Sequence, residues 1–263
     1  MQAVGYNGTE FVNFEKPVTD PLGFDLLVEV RAISINPIDA KIKQTITTKP
    51  KTPVILGFDA CGVVLAVGDK TTLFKVGDEV FYAGDMTRDG SNAEQQLVDE
   101  RIVGRKPTSL DYDQAAALPL TSITAWESLF DRLKITPADK DKTLLLIGAA
   151  GGVGSMAIQF AKQVIGINVI ATASRAESKD WCKQMGADIV LDHQHLAQQF
   201  KDNNLDTPKY ILCMGVPDDY FDQMIQVIAP QGSICLLANT QQAYDLNLLK
   251  AKSITLVWEM MFT

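Results

Sequence analysis

Hydrophobic and polar positions follow two different rhythms along the chain, and the change falls near residue 120. Before it the apolar runs are short and strand-like. Leu26, Val28, Val30 and Ala32 alternate with Leu27, Glu29 and Arg31, the pattern of a half-buried strand. Val63–Val67 stops at Gly68-Asp69, and Val80-Phe81-Tyr82 ends at Gly84, both strand-and-turn signals. Prolines at 17, 21, 37, 50, 53 and 107 punctuate these runs, which predicts an irregular β-rich domain over residues 1–121. After the change, strand and helix patterns take turns. Thr143–Ile147 is apolar without alternation, as in a strand covered on both faces. Val153, Ala157, Phe160, Ala161 and Val164 then recur as one helical stripe. Further strands are predicted at 168–172, 189–191, 210–214, 233–238 and 254–258, with helices near 176–185, 196–202 and 219–228. Residues 122–263 therefore read as a doubly wound parallel sheet, and the whole chain as an α/β protein.

Composition narrows the possible partners. At 263 residues, 46% hydrophobic and 21% charged, the chain can bury a real core and fill one to two domains. Its net charge of −8 makes it a poor binder of nucleic acid or anionic membrane, so neither is an expected partner. Four cysteines without a CxxC argue against a disulfide framework or zinc ribbon and for a reducing cytoplasm. No signal peptide is visible, and no apolar run reaches the ~18 residues of a membrane span.

Chemistry enters at the strand-to-helix junction Gly148-Ala149-Ala150-Gly151-Gly152-Val153-Gly154. In the GxGxxG frame, Ala149 takes the first position, for the tight turn. Gly151 takes the second, where backbone amides approach a pyrophosphate, and Gly154 the third, where the helix packs against the strand. The helix N-terminus adds free N–H groups and a positive dipole end. The bland reading is a glycine-rich turn that binds nothing. The end of the next strand, Thr172-Ala173-Ser174-Arg175, lacks the carboxylate that usually binds an NAD ribose. Ser174, Arg175 and, a turn later, Lys179 suit a 2′-phosphate instead, so the expected cofactor is NADP(H). Otherwise Arg175 and Lys179 are solvated helix-start charges. The only two histidines, His193 and His195, are expected in the turn after the third strand. There His193 can approach the adenine or phosphate end; a metal pair would lack a third ligand.

In order along the chain stand Ser34-Ile35-Asn36-Pro37-Ile38-Asp39, Leu56-Gly57-Phe58-Asp59, Gly77-Asp78-Glu79-Val80, Leu118-Pro119-Leu120-Thr121, Thr124-Ala125-Trp126, the glycine loop and Met185-Gly186-Ala187-Asp188. With these landmarks the chain resembles the medium-chain dehydrogenase/reductase superfamily. It is most similar to the zinc-free quinone oxidoreductase branch, in the group labelled zinc-type alcohol dehydrogenase-like proteins. The resemblance implies a GroES-like catalytic domain, a Rossmann domain and an active cleft between them. Family members place an aromatic residue near position 193. Zinc-dependent relatives carry Cys and His where this chain has Asn36 and Phe58, and a cysteine-rich lobe where residues 85–92 hold no cysteine, so no zinc is expected.

Without a Lewis acid, a quinone or an α,β-unsaturated carbonyl is an easier hydride acceptor than a simple ketone, because its developing oxyanion needs only hydrogen-bond donors. The resemblance implies Asn36 near the nicotinamide with its amide free for a carbonyl, Lys41 as an oxyanion stabiliser, and Tyr82 on a cleft-facing strand end as proton donor. Each also has a structural reading: a cap on the Pro37 turn, a solvated charge, a packed aromatic. Thr124 matches a nicotinamide contact, and Val216, Leu237 and Ala238 follow strands whose carboxyl ends border the cofactor. The expected protein is an NADPH-dependent quinone or enone reductase acting on a small molecule, as a homo-oligomer with a dimer favoured. The alternatives are an alcohol or aldehyde dehydrogenase and a non-catalytic NADP(H)-binding sensor. Family members continue past the sixth strand and return to the catalytic domain. We therefore expect exposed apolar surface on the first domain, with impaired stability or activity or compensation by another chain.

Overall fold

The computed structural model describes residues 1–263. The chain divides into two compact units, residues 1–120 with Phe262, and residues 121–261 with Thr263.

The first unit is built on strands. β1 (Gln2–Tyr6), β2 (Phe11–Glu15) and β4 (Val54–Ile55) form a small sheet ordered β2-β1-β4. β3 (Asp25–Ser34), β5 (Asp59–Val67), β6 (Glu79–Tyr82), β7 (Gln95–Asp99) and β8 (Val103–Arg105) form an antiparallel sheet ordered β7-β3-β5-β6-β8. Helix α1 (Pro37–Thr45) interrupts the strands and α2 (Tyr112–Ala116) comes after them. Leu26, Val28, Ala60, Val64, Val80, Tyr82 and Val98 make the core. The alternation expected for β3 is broken by register shifts at Leu27/Val28 and Val30/Ala32, and Leu27 is buried along with Leu26 and Val28. Bulges re-aim side chains in this way. At the second shift β5 presents Gly62, where any Cβ would lie 2.1 Å from the Glu29 carbonyl oxygen.

The second unit begins with α3 (Pro119–Trp126, its first two residues lying in the first unit) and continues through six parallel strands. These are β9 (Thr143–Ile147), β10 (Asn168–Thr172), β11 (Ile189–Leu191), β12 (Tyr210–Cys213), β13 (Ser233–Leu236) and β14 (Thr255–Trp258). Helices α4 (Gly152–Phe160), α5 (Ala176–Met185), α6 (Leu196–Asp202) and α7 (Phe221–Val227) connect the first five, and α8 (Asn247–Lys250) precedes the last. The order β11-β10-β9-β12-β13-β14 is the dinucleotide-binding arrangement, with its reversal of strand order between β9 and β12. β9 is buried throughout because both faces are covered: Leu144 and Leu146 join one core layer, Leu145 and Ile147 the other. The apolar stripe of α4 runs true only to Ala161. From there the helix widens into a π turn over Ala161–Ile165, which rotates its last residues and leaves Val164 49% exposed. No helix is long and apolar enough to cross a membrane.

Gly62→Ala is expected to destabilise the first unit by about 1–3 kcal/mol, because the added methyl meets backbone that cannot move without breaking the β3–β5 ladder. Urea unfolding monitored by near-UV circular dichroism would measure it; an unchanged midpoint would show that the strands can separate freely there.

Candidate functional site

The loop after β9 is shaped by its smallest residues. Gly148 turns the chain with φ +78°, a conformation that favours glycine. The Gly148 N–H donates to Thr172 Oγ1 (3.1 Å), and the Ala149 N–H donates to the Thr172 carbonyl (3.2 Å). This corrects the expected division of labour. The tight turn belongs to Gly148, whereas Ala149 is fully buried with its amide already used, so it offers nothing to a ligand. Gly154 approaches so closely that a Cβ there would lie 2.2 Å from the Ala149 carbonyl oxygen. Gly151 caps α4, and a Cβ on it would meet only the Gly148 carbonyl oxygen, at 3.8 Å. The first N–H groups of α4 have no acceptor within the helix. A Cβ on Gly152 would lie 2.8 Å from Thr121 Cγ2, whereas Gly148, Ala150 and Gly151 line an open groove whose small residues leave room that suits a pyrophosphate.

A groove continues from the loop along the end of β10. Ser174, Arg175, Ser178, His193 and Tyr220 line it, and no carboxylate does. The structure thus gathers three of the four expected residues of the adenosine end. Lys179 is the exception: it lies outside the lining, with Nζ 3.8 Å from an Asp192 oxygen. Ser178 and Tyr220 were missed. Ser178 was within reach of the sequence, since it stands in the first turn of α5, three residues after the capping residue Arg175. The Tyr220 ring meets His193 edge to face, with centroids 6.4 Å apart, a long-range contact without a local signal. His195 lies outside this groove, at the start of α6 in a left-handed conformation (φ +53°). Val216, half exposed, comes after β12, and Leu237 and Ala238 come after β13, all at carboxyl ends of the sheet. Thr124 is buried on α3.

In the first unit, Asn36 is 6% exposed, and its donors are engaged. Its N–H donates to Asp39 Oδ2 (2.6 Å), and its side-chain Nδ2 donates to Asp59 Oδ2 (2.8 Å). The expectation of an amide free for a substrate carbonyl is therefore corrected: Asn36 ties the start of α1 to the start of β5. The other Asp59 oxygen accepts the Leu120 N–H (2.8 Å). Burial pushes the Asp59 carboxyl up to about 7, against the hydrogen bonds from Asn36 and Leu120. Burial also raises Asp39, whose Oδ1 has no partner. Lys41 is exposed on α1. Tyr82 is a second correction. It is 2% exposed, packed among Leu26, Val28 and Val80, and its hydroxyl has no partner. Burial also drives its ionisation far above the usual range, and a hydroxyl enclosed in that core is not placed to serve as the expected proton donor.

These residues do not fit a catalytic zinc. Phe58 supplies no lone pair and packs against Phe262 (centroids 5.0 Å). Asn36 turns its amide N–H to Asp59, and both Asp59 oxygens already accept hydrogen bonds. Nowhere do three His, Cys, Asp or Glu side chains converge, whereas such a site needs three protein ligands. The cysteines are buried; Cys61 packs with Ala115 and Ala116.

Comparison with known proteins agrees with this architecture. The family described as alcohol dehydrogenase GroES-like domain matches residues 23–108, and that described as zinc-binding dehydrogenase matches 152–262. A zinc-type alcohol dehydrogenase-like protein of Staphylococcus epidermidis is 44% identical over 100% of this chain and 81% of its own length. The NADPH-dependent alkenal/one oxidoreductase of Arabidopsis thaliana chloroplasts is 32% identical over 88% of this chain and 60% of its own. Among solved structures, a Rhizobium etli protein described as a zinc-dependent alcohol dehydrogenase superposes with TM-score 0.92 and 47% identity, covering 100% of this chain and 79% of that one. A quinone oxidoreductase of Pseudomonas syringae superposes with TM-score 0.85 and 28% identity, covering 99% and 81%.

Two outcomes are expected. Protein purified without chelators should carry well under one zinc per chain by plasma mass spectrometry; stoichiometric zinc would overturn the donor-set argument. The second concerns Asp59. Between pH 3.8, where the carboxyl ordinarily ionises, and about 7, the folded chain holds a proton that the unfolded chain releases. Its contribution to stability therefore falls as pH rises through that window, by at most about 1.4 kcal/mol per pH unit. The difference in unfolding free energy between wild type and Asp59→Asn should shrink across the window. A constant difference would show that Asp59 ionises normally.

Proposed function

The chain belongs to the medium-chain dehydrogenase/reductase superfamily of oxidoreductases, and from that premise we propose that it reduces quinones or α,β-unsaturated carbonyls with NADPH, without a metal at the reacting oxygen. One observation carries the proposal: the groove beside the glycine loop holds Arg175, Ser174 and Ser178 and no carboxylate. A guanidinium and hydroxyls suit a 2′-phosphate, whereas an NAD ribose calls for an acid. The alkenal/one oxidoreductase of Arabidopsis, NADPH-dependent by name, supports the same choice.

A bound nicotinamide would supply the hydride; the residues of the chain hold, orient and stabilise. The α4 N-terminus at Gly151–Val153 would take the pyrophosphate, Gly154 keeps that helix against the sheet, and Val216, Leu237, Ala238 and Thr124 would border the nicotinamide half. In the first unit, Asn36, held by Asp59 and Asp39, fixes the first turn of α1. That helix carries Lys41, the exposed cation we assign to the oxyanion that develops as a conjugated carbonyl accepts hydride. Asn36 is thus a positioning residue. The absence of a ligand set for zinc favours conjugated acceptors over simple alcohols and aldehydes.

A panel of quinones, alkenals and alcohols, with NADPH oxidation monitored by absorbance, tests the proposal. Turnover of quinones or alkenals but not of alcohols is expected, and turnover of alcohols alone would overturn it. No turnover of any class would leave a dinucleotide-binding protein without this activity. Lys41→Met should lower kcat by about 10-fold or more, as loss of an oxyanion donor does, with little change in NADPH affinity. Unchanged kcat would remove Lys41 from the mechanism.

A further inference from the structure

α3 does not end its winding at Trp126. It runs on as a π turn over Glu127–Arg132, a widening that helices often carry at functional positions. On the sheet, β14 ends at Trp258, and the next residue, Glu259, donates its N–H to the Leu236 carbonyl at the end of β13 (3.0 Å). The Glu259 carboxyl is turned inward. Its side chain has no exposed surface, and neither oxygen accepts a well-formed hydrogen bond. Arg132 Nε lies 2.8 Å from Oε2. The Glu127 carboxyl stands within hydrogen-bonding reach as well. Two acids thus meet one guanidinium around a side chain closed to water.

Two ionised carboxylates are acceptors only, and they repel; with one proton between them, one donates to the other and the trio with Arg132 is neutral. Burial and the Glu127 carboxyl accordingly push Glu259 well above the usual carboxylate range, against the pull of Arg132. The other polar groups here stay uncharged: Ser128 from the π turn, and from β13 Cys235, whose thiol burial pushes up to about 12. We propose that Glu127 and Glu259 share a single proton beside Arg132 and act as positioning residues, a clasp that holds α3, with Thr124, against the end of β13, where Leu237 and Ala238 begin. The proposal rests on the NADP(H) reading above, in which Thr124, Leu237 and Ala238 border the nicotinamide half, and adds to it the groups that hold the two sides of that subsite together. When the proton leaves to solvent, two negative charges face one positive charge, and the end of β14 is pushed from the π turn. A carboxyl that keeps its proton above its ordinary value stabilises the closed form only while protonated, so the clasp is whole at low pH and is lost as pH rises.

Binding of NADPH and of 2′,5′-ADP, which carries the 2′-phosphate but no nicotinamide, to the full chain between about pH 6 and 9 tests the proposal. Titration of the 2′-phosphate and of groups at the adenosine end affects both ligands and cancels in the ratio of their Kd values. Kd for NADPH relative to Kd for 2′,5′-ADP should rise about fivefold or more across the range, as coupling between separate sites does. Glu259→Gln, which keeps a donor and removes the charge, should hold the ratio at its low-pH value throughout. Glu127→Gln, at the half-buried partner, should do the same, and it decides the matter if Glu259→Gln does not fold. The infrared band of protonated carboxyls at the acid end of the range should weaken in either variant without vanishing, since Asp59 holds a proton of its own. A ratio that ignores pH would overturn the clasp and leave the NADP(H) reading standing. So would a rise that survives in both variants, or a band that neither variant weakens. Binding of neither ligand at any pH would overturn the NADP(H) reading and the inference with it.

Discussion

The second unit depends on one close approach, that of Gly154 to the Ala149 carbonyl. With no side chain between them, α4 starts just where β9 stops, at the carboxyl edge of the sheet. Thr172 holds the loop from the other side through two hydrogen bonds, to Gly148 and Ala149. β10, whose end lines the groove, thus also fixes the glycine loop, so the proposed pyrophosphate and ribose subsites would shift together.

In the proposed function, electrostatics is what would choose among dinucleotides. The chain is acidic as a whole, yet its groove beyond β10 carries a guanidinium, two serine hydroxyls and an imidazole. Asp192 is close by, with its carboxylate 3.8 Å from Lys179 Nζ and 3.7 Å from His193 Nδ1, and it does not line this groove. In the first unit Asp39 and Asp59 are buried, and their hydrogen bonds brace a helix and the end of the unit. A ligand set for zinc is missing there because Asn36 and Phe58 serve packing and bracing.

Much of this is legible in the sequence. Fully apolar Thr143–Ile147 marks a central strand, and small residues after it mark an anion loop, because both patterns arise from local constraints. The same local logic fails at three places. Val164 leaves the apolar stripe because a π turn does not keep the helical period. Tyr82 stands at a strand end, a position that suggests a cleft, but the fold puts that end inside the β-sheet core. Asn36 reads as free because its partner, Asp59, lies 23 residues away and meets it only once β5 comes alongside. Ser178 is recoverable from helical spacing; Tyr220 is not, since its contact with His193 joins distant parts of the chain.

Asp59 receives one donor from Asn36 and another from Leu120, on its two separate oxygens. A side chain there has to be short and forked, and it has to accept twice. Asparagine offers one oxygen, serine reaches too little, and glutamate overshoots. Held to those two donors, this site should tolerate almost no exchange over evolutionary time, so invariance at position 59 among kindred proteins would reflect masonry.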